Sequence, residues 1–490
     1  MAEDLEQTSI GRLKRRWYEM YWPEVETNDR LSDLPNGILN QIVSFLPIKE
    51  AARTSILSRK WRYIWTTITS LDLDSCLFNK WETFASSIDR LVTHHDGPVL
   101  QKLRLSLLWA RSRHTTQING WIASAVKLNV QELDLYIPME EYELPCCLFT
   151  CKSLLILKLA LNCSVLRLPT ASGLSRIKML HLTEVDFPNE KTFEELFLSF
   201  PKLENLNLEN CGLTHFEFLN ISSHELKKLV ISNCRGLHEC RIYISTPNLL
   251  SFKLVGNVAR DYTVGILPTL EDAFIDFRGN LPWKHNIGGF DLDHSYCFRK
   301  ILRRLHNAKS LTISASCIEF LSAIEDMLKH LHTFHSLKHL KLTTSLREDH
   351  IHLITCILES SPNLQTFVLE IEDEDEDRNR KVYNLGPFKP VDVRHFGRHE
   401  NDIELVKFLL KNAAKLEKMI ITTFKKFQEP TYLEKLGPGE FNYHNFDDTD
   451  SWIWFTSCNT IFLELNRCPW DCVEHLFGRL GGTQSASSVL

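Results

Sequence analysis

Residues 203–213 read LENLNLENCGL, and residues 226–237 repeat the same pattern as LKKLVISNCRGL. The shared unit is L-x-x-L-x-L, in which the second and third apolar anchors lie two residues apart. Because successive side chains of a strand point to opposite faces, these two anchors fall on one face of a short strand. One such strand cannot bury that face alone, so the pattern predicts stacked copies that share a core.

The unit recurs along most of the chain, with other apolar residues sometimes in place of leucine. Copies start at Leu100, Val130, Leu154, Ile177, Leu203, Leu226 and Leu249, at steps of 30, 24, 23, 26, 23 and 23 residues. After a weaker copy at Leu270, the pattern returns at Ala308, Leu337, Leu364 and Leu416. These periods lie in or near the range of leucine-rich repeats. The wider gaps near 280–300 and 371–410 are predicted to be insertions on loops.

Upstream of the repeats, residues 30–74 predict a small helical module. Pro35 can open a first helix, Pro47 ends it, residues 48–57 form a second helical pattern, and Ser58 is the expected N-cap of a third. So short a segment has more apolar surface than it can bury by itself. The surplus therefore faces either the rest of the chain, as a cap on the repeats, or another protein.

The stretch LSDLPNGILNQIVSFLPIKEAARTSILSRKWRYIW, residues 31–65, closely resembles the F-box of plant F-box proteins. The resemblance lies in Leu34-Pro35, Phe45-Leu46-Pro47, Arg53-Thr54-Ser55, Leu57-Ser58, Trp61 and Trp65. It implies binding to a Skp-type adaptor, which bridges to a cullin and its RING partner. It further implies that the adaptor contacts Leu34, Pro35, Ile38, Leu39, Ile42, Leu46, Pro47 and Ile48, whereas Trp61 and Trp65 contribute partly to the module's own core.

The end of the array resembles a second plant module. Residues 394–424, RHFGRHENDIELVKFLLKNAAKLEKMIITTF, are similar to the FBD module that often follows leucine-rich repeats in plant F-box proteins. The predicted domains are an N-terminal extension (1–29), the F-box (30–74), the repeats (75–385), an FBD-like terminal repeat (386–430) and a divergent C-terminal segment (431–490) with a disordered tail. The predicted fold class is α/β, a small helical F-box module followed by a leucine-rich-repeat solenoid with a curved parallel sheet.

The cysteines and the N-terminus predict a reducing compartment. The chain has 14 cysteines in 490 residues, too few for a disulfide scaffold, and its first residues contain no apolar core segment. The thiols are therefore expected to be reduced, in the cytoplasm or the nucleus. Cys211 and Cys234 hold the same repeat position and are predicted to be buried and structural.

The remaining composition argues against several classes of function. The net charge of -6 gives no reason to expect nucleic acid or a membrane as the main partner. No catalytic or cofactor-binding motif is present, so no cofactor and no intrinsic enzyme are expected. Cys468, Cys472 and His475 lack a second ligand pair nearby, so no metal site is predicted. The acidic run 372–377 is interpreted as a solvated loop, with docking of a basic segment as the alternative.

These observations predict a binding protein: the substrate-recognition subunit of a Skp–cullin–F-box ubiquitin ligase, whose repeats hold an unidentified protein substrate. The alternatives are a co-receptor for a hormone or small molecule, and a scaffold that acts without the ligase. Residues flanking the anchors face away from the core, so the expected substrate surface is one polar patch on three neighbouring strands. Its residues are Asn205, Asn207, Glu209, Lys228, Val230, Ser232, Ser251, Lys253 and Val255.

Overall fold

The computed structural model describes residues 30–46, 48–93, 99–167, 174–277, 292–322, 333–344 and 348–371, together with five later strands. The α-helices are α1 (Asn36–Ser44), α2 (Ile48–Arg53), α3 (Trp81–Thr93), α4 (Thr115–Lys127), α5 (Glu190–Ser199), α6 (Leu292–Leu302), α7 (Ala315–Ser322) and α8 (Glu348–Glu359). Short 3₁₀ helices span Thr54–Ile56, Trp61–Thr67, Ser75–Leu77, Ser112–His114, Cys146–Thr150 and Leu237–Glu239.

The strands alternate with these helices along the chain. They are β1 (Ser70–Asp74), β2 (Lys102–Ser106), β3 (Glu132–Tyr136), β4 (Ile156–Val165), β5 (Met179–Asp186), β6 (Asn205–Glu209), β7 (Phe218–Ser222), β8 (Lys228–Ser232), β9 (Arg241–Ser245), β10 (Ser251–Gly256), β11 (Asp261–Val264), β12 (Asp272–Phe277), β13 (Ser310–Ile313), β14 (His339–Thr344), β15 (Thr366–Ile371), β16 (Val391–Phe396), β17 (Lys418–Thr423), β18 (Asn442–His444), β19 (Ile453–Thr456) and β20 (Thr460–Glu464).

The main sheet has 17 strands. From β1 to β17, leaving out β7, β9 and β11, each strand pairs in parallel with the next one along the chain. The last three strands, β18 to β20, join by antiparallel pairing. Successive parallel strands need a crossover between them, which is the geometry of a solenoid of strand-first repeats. The predicted fold class is confirmed.

Each predicted repeat copy forms a strand that begins two residues after its first anchor. Leu203 precedes β6, Leu226 precedes β8 and Leu416 precedes β17. In the copy at Leu203, all three anchors are at most 1% exposed. Burial of anchors from one repeat against those of the next supplies the continuous core, at about 25 cal/mol for each Å² of apolar surface removed from water.

Besides the antiparallel strands β18 to β20, two parallel strands of the main sheet were not predicted. β1 pairs in parallel with β2, so residues 70–74, at the end of the predicted F-box segment, form the first strand of the sheet. β16 pairs with β15 and β17, so the gap near 371–410 contains a strand and is not only a loop insertion. The gap near 280–300 likewise includes α6, because residues 292–302 are helical.

The crossovers of the central repeats form a second sheet. Strands β7, β9 and β11 pair in parallel, in the order β11-β9-β7. They take the place that helices α3, α4 and α5 occupy in earlier repeats. Their inward residues are buried; Leu219, Ile242 and Tyr262, for example, are each at most 1% exposed. The alternation of buried and exposed residues matches the two-residue period of a half-buried strand.

The turn after each central strand explains the asparagine and cysteine of the repeat. Asn210 and Asn233 have φ values of 53° and 52°, in the left-handed region that asparagine tolerates better than most residues. The following thiols, Cys211 and Cys234, are buried and donate to the carbonyls of Leu182 and Leu208 in the preceding repeats, at 3.4 and 3.6 Å. The prediction that both cysteines are structural and buried is confirmed.

Candidate protein-binding surfaces

The F-box module is held together by a small internal core and by hydrogen bonds to its entry loop. Leu39 and Val43 of α1 pack with Trp61 in the hydrophobic core, which is continuous with that of the repeats. The Nζ of Lys60 donates to the carbonyls of Ser32 and Leu34, at 2.6 and 2.7 Å. These bonds hold the residues before α1 against the start of the 3₁₀ helix Trp61–Thr67.

The prediction that Ser58 is the N-cap of the third helix is wrong. The third helical segment is a 3₁₀ helix, Trp61–Thr67, whose N-cap position is Lys60 without a side-chain cap bond. The hydroxyl of Ser58 instead hydrogen-bonds with the hydroxyl of Ser32 at 2.7 Å. The Ser58 side chain therefore joins two segments of the module that lie 26 residues apart in sequence, and it does not cap a helix. Trp61 is buried and Trp65 is half-buried against the core, in agreement with their predicted mixed role.

The module leaves a large part of its apolar surface in solvent. Among the described residues, seven of the eighteen exposed large apolar side chains lie between positions 31 and 63. They are Leu31, Ile38, Phe45, Leu46, Ile56, Leu57 and Tyr63, and we refer to them as the exposed apolar set. Such a concentration in so short a segment is the physical mark of a surface that another protein covers.

The predicted adaptor-binding residues divide into three groups. Pro35, Ile38 and Leu46 are exposed, as a binding surface requires. Leu34, Ile42 and Ile48 are half-buried, with one side packed on the core. Leu39 is fully buried and has no surface to offer a partner, so its assignment to the interface is wrong; it is a core residue. Pro47 lies outside the described residues.

Sequence reasoning missed several members of the exposed apolar set, including its two most exposed. Phe45, Ile56 and Leu57 are 78%, 85% and 58% exposed. The second helix was expected to continue to Leu57, but α2 ends at Arg53 and a 3₁₀ turn follows. This change in helical period turns Ile56 and Leu57 outward. No residue in this stretch marks the change of helical period clearly.

The second candidate surface lies on the inner face of the main sheet. The nine predicted substrate-binding residues occupy three adjacent strands, β6, β8 and β10. Asn205, Lys228 and Ser251 are in register, as are Asn207, Val230 and Lys253, and Glu209, Ser232 and Val255. The strand pairing therefore brings all nine positions together in a three-by-three array. We call this array the inner patch.

The inner patch is polar at seven positions and not at the other two. Val230 and Val255 are only 6% and 5% exposed, although neither belongs to the hydrophobic core cluster. The expectation of a fully polar, accessible patch is wrong at these two residues. Val230 lies in register with Asn207 and Lys253, whose longer side chains shield it. Lys228 and Lys253, in contrast, are exposed.

Residues on the neighbouring strands extend the inner patch on both sides. On β5, His181 Nε2 lies 3.3 Å from Glu209 Oε2. On β12, the ring of Phe274 lies under Lys253, whose Nζ is 4.8 Å from the ring centroid. Sequence reasoning omitted His181 and Phe274 because it considered only three repeat copies. Both occupy the position between the last two anchors of their own copies, which was the available signal.

Ion pairs cover the same face of the main sheet in the first repeats. Glu132 Oε1 lies 3.0 Å from Lys158 Nζ and 3.1 Å from Lys102 Nζ. Burial raises the pKa of the Glu132 carboxyl, but the hydrogen bonds from the two lysines outweigh it and hold the pKa below its ordinary value. Arg104 pairs with Asp72 at 2.8 Å, and this hydrogen bond raises the pKa of the guanidinium. Two carboxylates thus offset part of the charge of three cations within the chain.

The acidic run 372–377 and the candidate ligands Cys468, Cys472 and His475 lie outside the described residues. Within the described part of the chain, no group of three or more histidine, cysteine or carboxylate side chains is placed to hold a metal ion. Over the same residues, no helix has the length and apolarity that a membrane span requires.

Two family models match the chain at the positions of these surfaces. The F-box domain model matches residues 31–71, and the model described as At1g61320/AtMIF1, LRR domain, matches residues 91–437. The helical module and the strand-first repeats thus define an F-box protein with a leucine-rich-repeat domain. The chain belongs to this family.

Individual relatives share the same architecture. F-box/LRR-repeat protein At4g14103 of Arabidopsis thaliana is 30% identical over 360 residues, covering 70% of this chain and 92% of the relative. Putative F-box/FBD/LRR-repeat protein At4g03220 and F-box/FBD/LRR-repeat protein At1g51370, from the same plant, are 27% and 26% identical, covering 80% and 81% of this chain and 89% of each relative. The FBD in these names agrees with the FBD-like module predicted near the C-terminus.

Proposed function

We propose that this protein is the substrate-recognition subunit of a Skp–cullin–F-box ubiquitin ligase. The observation that carries the proposal is the exposed apolar set, which lies on a segment that matches the F-box model. A Skp-type adaptor would cover these side chains and would link the chain to a cullin and its RING partner. Burying them in an interface removes from water the apolar surface that the module cannot bury alone.

The repeats supply the second half of the proposal, which is the binding of a protein substrate. The inner patch offers two exposed lysines, amides and a carboxylate on three strands in register. Backbone pairing fixes the spacing of these groups, so a partner meets a surface that needs little reordering on binding. The chain itself would be non-catalytic. It would hold a substrate lysine close to the charged ubiquitin carrier and so raise its effective concentration.

Affinity capture under proteasome inhibition tests the ligase part. Wild type is compared with Ile56→Ala combined with Leu57→Ala, and with a matched control of two exposed apolar residues outside the F-box, Leu198→Ala with Ile266→Ala. We expect wild type and control to capture adaptor and cullin, and the F-box variant to lose both while retaining substrates. Adaptor and cullin captured equally by all three chains would contradict the proposal.

Charge reversal tests the inner patch. Lys228→Glu with Lys253→Glu should weaken substrate capture and leave adaptor binding intact, because both side chains point into solvent. The matched control is Lys191→Glu with Lys202→Glu, two exposed lysines elsewhere on the repeats. If substrate turnover survives the first reversal but fails when residues 372–377 are deleted, the substrate surface lies elsewhere.

A further inference from the structure

A second group of exposed apolar side chains lies at one edge of the main sheet. Between residues 75 and 165, the described part of the chain exposes five large apolar side chains, all at or just after the carboxyl ends of β1 to β4. They are Leu77, Leu108, Trp109, Tyr136 and Val165, and we call them the apolar rim. Because these four strands pair in parallel and in sequence order, their carboxyl ends meet at one edge.

The turn after β2 is attached to the end of β3. The backbone N–H of Leu107 donates to the carbonyl of Tyr136 at 2.8 Å, and that of Ala110 donates to the carbonyl of Leu107 at 2.9 Å. The turn that carries Leu108 and Trp109 therefore lies directly beside Tyr136. These exposed side chains start from a fixed backbone, so a partner that binds them loses less free energy to ordering.

The loop after β3 is held in place by hydrogen bonds around the buried Tyr142. The Tyr142 hydroxyl donates to Asn119 Oδ1 of α4 at 2.7 Å, and the Tyr142 backbone N–H donates to Ser164 Oγ of β4 at 3.2 Å. Ser164 Oγ in turn donates to the carbonyl of Met139 at 3.0 Å. The loop is therefore fixed against α4 and against the residue before Val165, at the β4 end of the apolar rim.

The same loop presents two exposed carboxylates, Glu140 and Glu141. Within the part of the chain that the structure describes, neither carboxylate has a hydrogen bond or an ion pair. Glu143, in contrast, pairs with Arg167 at 3.7 Å. Residues 168–173, which follow in the sequence, read LPTASG and contain no charged side chain. The β3–β4 end of the apolar rim is therefore acidic.

Exposed cations accompany the other end of the apolar rim. Lys80 follows β1, and Arg111 follows the turn after β2. Arg113 Nε donates to His114 Nε2 at 3.0 Å, and His114 stacks on Trp81 of α3 with the ring centroids 4.0 Å apart. Arg113 is therefore directed toward the helices and not along the edge of the sheet. The charge along the apolar rim is thus divided, with basic residues after β1 and β2 and acidic residues after β3.

We propose that the apolar rim binds a segment of polypeptide whose apolar side chains are flanked on one side by lysine or arginine. The apolar side chains of the partner would cover the apolar rim, and its cations would pair with Glu140 and Glu141. Lys80 and Arg111 would repel a cation at the other end, so charge also sets the direction of the segment. Three strand spacings of about 4.8 Å give a width of about 14 Å, which about four or five extended residues span. The segment would belong to the substrate, and this part of the inference rests on the proposed function.

Selection from a phage-displayed library of random linear peptides tests the binding site. The library is first depleted on the variant Trp109→Ser with Tyr136→Ser, which removes peptides that bind other surfaces, and is then selected on the wild-type full chain. We expect the enriched peptides to carry apolar residues with lysine or arginine on one side of them. If that variant does not fold, Glu140→Lys with Glu141→Lys serves for the depletion.

Fluorescence anisotropy with the most enriched peptide then measures what each part of the surface contributes. The serine pair and the lysine pair should each bind it at least about tenfold more weakly than wild type, and binding should weaken as salt is raised. The matched controls change exposed residues elsewhere on the repeats and should bind like wild type; they are Leu198→Ser with Ile266→Ser, and Glu194→Lys with Glu225→Lys. The inference is overturned if no peptide is enriched, if the enriched peptides are not basic, or if both variants bind as tightly as wild type.

Fusion of the same peptide to a stable reporter protein separates this inference from the proposed function. Cells that contain the wild-type chain should degrade the fusion, whereas cells that contain either variant of the apolar rim, or Ile56→Ala with Leu57→Ala, should not. Peptide binding that depends on the apolar rim but leads to no degradation would contradict the proposed function and leave the binding site standing. Both variants of the apolar rim should still capture the adaptor. Loss of that capture would overturn the inference, because the apolar rim would then belong to the adaptor interface.

Discussion

In the central repeats the three anchors of each copy are almost fully buried, whereas between positions 31 and 63 of the F-box seven large apolar side chains stay in solvent. Both regions have apolar residues at regular spacing. The difference lies in what covers them. Each repeat has a neighbour of the same design on either side, while the F-box has the array on one side only.

The comparison shows that apolar content predicts burial only where a partner surface exists in the same chain. A repeat strand completes its core by stacking on the next repeat, so its anchors contribute to the stability of the fold. The exposed apolar set contributes little to that stability and is available for binding. Mutations should therefore separate the two regions: changes to anchors should affect unfolding, and changes to the exposed apolar set should affect association.

The largest effect on stability is expected at a central anchor. Leu208 of β6 is fully buried, so Leu208→Ala leaves a cavity and should lower the free energy of unfolding by about 2–5 kcal/mol. Leu198, on helix α5 of the preceding repeat, is 81% exposed and is the matched control; Leu198→Ala should change the free energy of unfolding by less than about 0.5 kcal/mol. Urea unfolding followed by circular dichroism measures both, and equal losses would remove the distinction between anchors and surface.

Alanine substitutions at two glycines should change the stability of the fold in opposite directions. Gly236, in the turn of a central repeat, has a φ of 84°, and a Cβ there would lie 2.7 Å from the carbonyl of Leu213. Gly236→Ala should therefore cost about 1–3 kcal/mol. Gly37 in α1 of the F-box has nothing within 4 Å of an added Cβ, so Gly37→Ala should stabilise by about 0.5–1 kcal/mol. Thermal unfolding midpoints that shift in the same direction would contradict this account.

The smallest effect is expected in the ion pairs of the first repeats. The pKa of Glu132 is depressed in the folded chain, so its stabilisation is fully present above the unfolded-state pKa, about 4.3, and is lost as the pH falls through the lower folded-state pKa. Glu132→Gln should cost at most about 1 kcal/mol at neutral pH. Measured at stepwise lower pH, the difference in the free energy of unfolding between Glu132→Gln and wild type should shrink in acid. A difference that does not change with pH would rule out the carboxylate as its source.

The sequence predicted the main sheet well because its information is local and repeated. A spacing of two residues between buried anchors, copied every 23 to 30 residues, specifies both the face of each strand and its neighbour. The crossover strands β7, β9 and β11 were missed although their apolar residues alternate. Four or five alternating residues fit a strand or a loop equally well, and only the stacking of three such segments makes a sheet.

The F-box surface was only partly predictable for a different reason. The resemblance indicated which segment binds, but helix period decides which side chains face outward. Leu39 was expected at the interface and is buried, while Ile56 and Leu57 were not expected there and are exposed. Leu39 lies on the face of α1 that packs on the core. The change from α-helix to 3₁₀ helix after Arg53 turns Ile56 and Leu57 outward, and no residue in that stretch marks it clearly. The predicted domain boundaries and the cellular location remain predictions.

The affinity of the purified full chain for a Skp-type adaptor tests the central claim most directly. Ile56→Ala with Leu57→Ala removes two members of the exposed apolar set, and Leu198→Ala with Ile266→Ala removes two equally exposed apolar side chains of the repeats. If the exposed apolar set forms the interface, the first pair should weaken binding about 30- to 1000-fold at an unchanged unfolding midpoint, and the second pair should leave it unaltered. Equal affinity of both variants and the wild type would contradict the account.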